Sequence, residues 1–253
     1  MADALSHSWF IDSTVEEIDR LAYIADAADP AAPVPTCPGW SMAKLVKHTG
    51  TAHRWATRLV TTRSGEPVSP RSLDLGLPDK ESDYAGWLTD GAPPLAEALR
   101  EAGPDAAVWA WGAEHTSGWW ARRMLHETAV HRADAELAGR QTPVFDPVVA
   151  ADGIDEFLAN LPALPPRAER LAGLPAGQSL HLHATDADGE WLIRFTGSGV
   201  EWERGHAKAT VAVRGRLTLL LLFVYGRVRP DDEALQIFGD EALLGDWQEK
   251  TAL

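Results

Sequence analysis

Helical periodicity through the first half of the chain and two-residue alternation through much of the second predict two domains, an all-α bundle followed by a small α+β domain. The texture changes at Gln141-Thr142-Pro143-Val144-Phe145-Asp146-Pro147, which places the domains at residues 1–145 and 146–253. With 253 residues, 45% of them hydrophobic and 24% charged, the chain can bury two ordinary cores.

The first helix is expected from about Leu5 to Ala28. Its apolar positions Ile11, Val15, Ile18, Leu21, Ala22 and Ile24 recur at helical spacing, and the run stops before Asp29-Pro30. The proline-rich segment from Pro30 to Trp40 is not helical. Ser41 is a candidate N-cap for a second helix reaching about Thr61, although Lys44 at its third position leaves no capping box. A third helix is expected over Glu81 to Ala102, broken or restarted at Pro93-Pro94. The fourth runs from about Gly118 to Leu137 and stops at Gly139.

In the second half, a helix from about Val148 to Asn160 leads into loop-like sequence through Gln178. Strands follow in Ser179-Leu180-His181-Leu182-His183, in the segment from Glu190, and in the segment from Ala207 to Gly215. The turn-prone Asp186-Ala187-Asp188-Gly189 separates the first two. A helix from Leu217 to about Tyr225, a short strand ending at Gly239 and a closing helix complete the pattern.

The formal charge is −14, from 37 acidic and 23 basic residues. A net negative field repels nucleic acid and anionic membranes, so neither is an expected partner. Cys37 has no second cysteine to pair with, which fits a reducing cytoplasm. The first residues lack the basic and apolar regions of a secretory signal, and the apolar run from Leu217 falls well short of the roughly 20 residues that span a bilayer.

Glu127 and His131 carry the most specific chemistry. Four residues apart on a helix, their side chains lie one above the other and can point at a common atom. The spacing differs from that of H-E-x-x-H, since His126 is five residues from His131 and faces elsewhere, so Glu127 would be a ligand rather than a base. Such a pair on a helix is commonly a solvated ion pair. Here Trp120, Met124, Glu127, His131 and Asp134 share one sector, and Trp119, Val130, Ala133 and Leu137 form a second apolar stripe. A helix apolar on two sides is packed between neighbours, and a buried carboxylate must be paired or bound to a metal. His48, on the second helix, is a candidate third ligand. Periodicity of that helix (Met42, Leu45, Val46, Thr49, Ala56, Val60) points inward nearer His53 than His48, so both stay in view.

Three segment groups, Val34 to Trp55, Arg123 to Leu137, and Leu180 through Arg227 to Trp247, resemble the mycothiol-dependent maleylpyruvate isomerase family over most of the chain. The resemblance implies a DinB-like four-helix bundle followed by a sterol-carrier-like α+β domain. It implies a metal triad of His48, Glu127 and His131; His53, which periodicity turns inward, stays a candidate supporting neighbour. Two imidazoles and a carboxylate suit Zn²⁺ with an open fourth position, although nickel, cobalt and iron take similar donors. A thiol in that position loses its proton, and the implied thiol is mycothiol.

In the implied isomerisation, the thiolate adds to the cis double bond of an unsaturated diacid, the resulting single bond rotates, and elimination returns the trans isomer. The anionic substrate needs a cation, which the resemblance places at Arg227, with Arg122, Arg123 and Arg132 as rivals. Asp134 would either orient a ligand or face water. Cys37 is expected to shape the turn as a small buried residue. Trp109, Trp111, Trp119 and Trp120 are expected to pack the bundle or line its pocket. The same thiolate serves S-transfer to an electrophile. The alternative class is a non-catalytic binder of an apolar small molecule, or a redox-regulatory protein, in which the metal only braces the bundle.

Overall fold

The computed structural model describes residues 5–163 and 165–252, which divide into two compact units, Met1–Pro143 and Val144–Leu253. The first unit is helical. Helix α1 (His7–Ala27) starts where the Ser6 hydroxyl accepts from the backbone N–H of Trp9. Helix α2 (Met42–Thr61) starts the same way, with the Ser41 hydroxyl accepting from Lys44 N–H at 3.2 Å. The expected third helix is two, α3 (Tyr84–Asp90) and α4 (Ala92–Ala102), parted at Gly91. Pro93 and Pro94 lie in the first turn of α4, where a missing N–H breaks no helical bond. Helix α5 (Ser117–Ala138) is capped by Thr116 and ends at Gly139.

Helix α1 packs along α5, and α2 packs against both α4 and α5. Accordingly α5 is buried on most of its circumference: Trp120, Ala121, Leu125, Ala133 and Ala135 are fully shielded, as are Thr128 and Asp134. Arg132 of α5 is buried between Glu17, to which its Nε donates, and Glu136, which its Nη1 reaches at 2.6 Å. That arginine is a structural ion pair joining α5 to α1.

The second unit opens with α6 (Pro147–Asn160) and carries a five-stranded sheet in the order β3-β2-β1-β4-β5. The strands are β1 (Ser179–Ala184), β2 (Glu190–Phe195), β3 (Val200–Arg204), β4 (Val211–Gly215) and β5 (Gln236–Gly239). Strands β1 and β4 run parallel; the other pairings are antiparallel. Leu180, Leu182, Trp191, Ile193, Val211 and Val213 form a buried apolar face. Helix α8 (Leu217–Val224) packs on β1 and β4 and against α6.

Two elements were not legible in the sequence. Helix α7 (Pro165–Leu171) occupies part of the expected loop and pairs with the closing helix α9 (Ala242–Thr251). Strand β3 carries a short alternation of Val200 and Trp202 with Glu201 and Glu203, but its residues are exposed or half-buried throughout. Among the described residues no helix is long and apolar enough to cross a membrane.

Candidate metal centre

Helices α2 and α5 bring His48, Glu127 and His131 together, with one ligand atom from each lying within 4.8 Å of the others. Oε1 of Glu127 accepts from His48 Nε2 at 2.8 Å and lies 3.4 Å from His131 Nε2. Its second oxygen accepts from Arg123 Nη2 at 3.2 Å. Burial by itself would raise the Glu127 pKa, but hydrogen bonds from His131 and His48, with the charge of Arg123, hold it well below the usual carboxylate range.

His131 is fixed from behind. Its Nδ1–H donates to Asp134 Oδ2 at 2.9 Å, and Asp134 is fully buried one turn along the same helix. With Nδ1 committed, Nε2 is the nitrogen left to face Glu127. Burial would lower the pKa of His131, but Asp134, Cys37 and Glu127 raise it well above its ordinary value. The site therefore attracts a positive charge strongly, and a divalent cation would replace the proton that the imidazole otherwise carries.

The loop before α2 completes this arrangement. A bridge between Pro33 and Ser41 closes it, and Gly39 adopts φ +79°, a backbone conformation that side chains disfavour. The turn presents Cys37, whose buried Sγ donates to Asp134 Oδ2 at 3.3 Å. It also presents Trp40, which stacks on His131 and packs against His48, with ring centroids 5.8 and 4.8 Å apart. Sequence reasoning treated Cys37 as a turn former only and gave Trp40 no role. Their link to Asp134 and His131 spans nearly a hundred residues of chain, and no local periodicity carries it.

His48 and His53 separate cleanly. His48 is partly exposed and reaches Glu127; His53 is fully buried and pairs with Thr128 Oγ1 at 2.8 Å. Periodicity had identified the buried histidine, whereas the histidine beside the carboxylate lies at the edge of that buried face. His126 is buried away from the triad.

A cavity of about 280 Å³ adjoins the triad, lined by His48, Glu127, Arg123, Trp55, Trp111 and Trp120 among others. Trp120 is anchored by its Nε1–H to the carbonyl of Trp109 at 2.8 Å and meets Trp55 and Trp119 edge to face. Among the rival arginines, Arg123 lines this cavity, while Arg132 is committed to Glu17 and Glu136. Arg227 belongs to the second unit, where its Nη1 donates to the Tyr225 carbonyl at 2.8 Å.

The donor set fits a transition ion: two imidazole nitrogens and a carboxylate oxygen converge, and one ring is held in orientation by a carboxylate behind it. The fold resembles a crystal structure of the mycothiol-dependent maleylpyruvate isomerase, with 14% identity, a TM-score of 0.61, and coverage of 92% of this chain and 93% of that one. A histidine-to-alanine mutant of that enzyme aligns over the same shares with 14% identity and a TM-score of 0.60. No protein of curated function matches the sequence. The mycothiol maleylpyruvate isomerase N-terminal domain model matches residues 12–136 and the companion C-terminal domain model matches residues 148–246. Spanning nearly all of both units, these matches show that the chain belongs to the mycothiol-dependent maleylpyruvate isomerase family.

Proposed function

We propose that this protein is a metal-dependent enzyme that uses mycothiol as cosubstrate, either for cis-trans isomerisation of an unsaturated diacid or for S-transfer to an electrophile. The observation that carries this reading is the convergence of His48, Glu127 and His131 beside an indole-lined cavity. Family membership supplies the thiol and the reaction class. In this reading residues 1–145 form a DinB-like four-helix bundle, residues 146–253 form a sterol-carrier-like domain, and the protein works in the cytoplasm.

A divalent cation, Zn²⁺ by its donor set, supplies Lewis acidity that favours the thiolate over the thiol at neutral pH. The chain's own residues prepare for that charge. Asp134 keeps the proton of His131 on Nδ1 and so aims Nε2 at the ligand cluster. Trp55, Trp111 and Trp120 wall the cavity with apolar surface, which limits water around a nucleophilic sulfur. Arg123 places a guanidinium on the cavity wall, suited to a substrate carboxylate and to the enolate that thiol addition generates. Arg227 is the cation proposed from the family resemblance for the same role.

Metal-loaded protein supplied with maleylpyruvate and mycothiol is expected to form fumarylpyruvate; a bimane electrophile tests S-transfer in parallel. His131→Ala should lose bound metal and both activities together. A loaded wild-type protein inactive in both assays would overturn the reading, as would full activity in His131→Ala.

A further inference from the structure

The polar face of the sheet in the second unit carries a second set of metal-ligand side chains, outside the helical unit and its triad. His181 and His183 alternate with Leu180 and Leu182 on β1, so both imidazoles project from the face opposite the apolar core. Glu190, the first residue of β2, is the direct cross-strand partner of His183. The segment after β3 brings in His206. Three strands of chain thus deliver three imidazoles and one carboxylate to one spot.

Their distances are short. Glu190 Oε2 lies 2.6 Å from His206 Nδ1 and 3.0 Å from His181 Nε2, while Oε1 lies 3.2 Å from His183 Nδ1. One ligand atom each from His181, Glu190 and His206 falls within 4.8 Å of the others. The rings of His181 and His206 meet edge to face at 5.3 Å.

His181 gives the second, independent sign. It is 4% exposed, and its buried Nε2 makes no well-formed hydrogen bond among the described residues; its polar neighbour is Glu190 Oε2 at 3.0 Å. A buried imidazole nitrogen without a well-formed hydrogen bond is costly, and this one lies against a carboxylate that a second imidazole also meets.

We propose that His181, Glu190 and His206 form a second Zn²⁺ site on the sheet, with His183 holding the other oxygen of Glu190. A tetrahedral ion with bonds of about 2.0–2.2 Å sets its ligand atoms roughly 3.3 Å apart. Glu190 Oε2, at 3.0 Å from His181 Nε2 and 2.6 Å from His206 Nδ1, has to open by roughly 0.3 and 0.7 Å to reach that spacing. His206 is largely exposed on a connecting segment, which gives the site an entry side. His183 fixes the carboxylate as outer partners of metal ligands do. The site is built entirely from residues of the second unit and does not depend on the triad reading.

The test uses the full-length protein stripped with chelator. Zn²⁺ is added while the imidazole nitrogens are followed by two-dimensional NMR, with parallel equilibrium dialysis and elemental analysis. The expected result is that His181 and His206 shift with Zn²⁺ and that His206→Ala, on an exposed segment, removes one equivalent or weakens it by more than about tenfold. His181→Ala should do the same, and His48→Ala should leave these two sets of signals responsive. Unmoved His181 and His206 resonances in a folded protein, or Zn²⁺ binding identical in wild type and His206→Ala, would overturn the proposal. Failure here leaves the triad reading intact, because the triad is read from His48 and His131.

Discussion

His53 is expected to make the helical unit acid-sensitive in a way that can be measured. Thr128 spends its hydroxyl proton on the Met124 carbonyl at 2.6 Å, so the 2.8 Å bond between His53 Nε2 and Thr128 Oγ1 must be donated by the histidine. The lone pair on Nδ1 is then buried with no partner among the described residues. Protonating Nδ1 would put a cation in a dry core with nothing to receive it. Burial drives the His53 pKa from 6.5 down to about 3; Glu127 opposes the shift, and Arg54, His131 and His48 add to it.

The folded-state value is the depressed one, so the unfolded chain binds the extra proton first. Stability from neutral His53 is therefore complete above about pH 6.5 and is lost as the pH falls toward 3. The limiting slope is about 1.4 kcal/mol per pH unit, and because the unfolded-state histidine is already half protonated at pH 6.5 the loss between pH 6.5 and pH 4.5 is about 2.3 kcal/mol. That is a large share of a typical domain stability of about 5–15 kcal/mol. Urea unfolding followed by tryptophan fluorescence should show it when wild type is compared with His53→Gln, which can still donate to Thr128 but does not titrate. The difference between the two should shift by that amount across the interval. Parallel stability curves would refute the assignment of His53 as a buried neutral donor.

Three further outcomes follow from the packing. Asp134→Asn removes the charge behind His131 and should weaken Zn²⁺ binding at the triad by about 10–100-fold in a chelator competition; unchanged affinity would sink the positioning role. Gly50→Ala should destabilise by about 1–3 kcal/mol despite the better helix former, because a Cβ would lie 2.2 Å from the Trp87 ring. That ring cannot retreat freely, being stacked at 3.8 Å under Arg54 and bonded through Nε1 to Leu75, so a rise in melting temperature would contradict the model of the contact. Arg132→Met should cost about 3–5 kcal/mol in urea unfolding by leaving the buried Glu17 with only the half-exposed Arg20 as partner, and adding Glu17→Leu should recover much of it. A double mutant no better than the single would place the cost elsewhere.

Much of the helical unit was legible because its signals are local. Ser41 caps α2, Gly139 ends α5, and the double stripe on α5 announces burial on two sides. The alternation of Leu180 and Leu182 with His181 and His183 likewise marks β1 and tells which residues share a face. Strand β3 escaped because it is a short edge strand rich in charged side chains, whose alternation rests on Val200 and Trp202 alone. Helix α7 escaped because prolines and glycines around it read as loop, while its partner α9 lies far along the chain.

For this protein the order of residues determines what each helix and strand can bury, since caps and periodicity act over a turn or two. Which polar atoms meet is decided only when distant elements pack. Periodicity directs His53 to the core, yet His48 is the histidine that touches Glu127: both reach α5, His53 at Thr128 from the centre of the buried face and His48 at Glu127 from its edge. The contact of Cys37 with Asp134 is likewise a product of chain closure, whereas Glu190 meets its histidines through the local pairing of β1 with β2: a hydrogen bond depends on ångström-scale position, and residues far apart in sequence acquire that position only from the packed core around them.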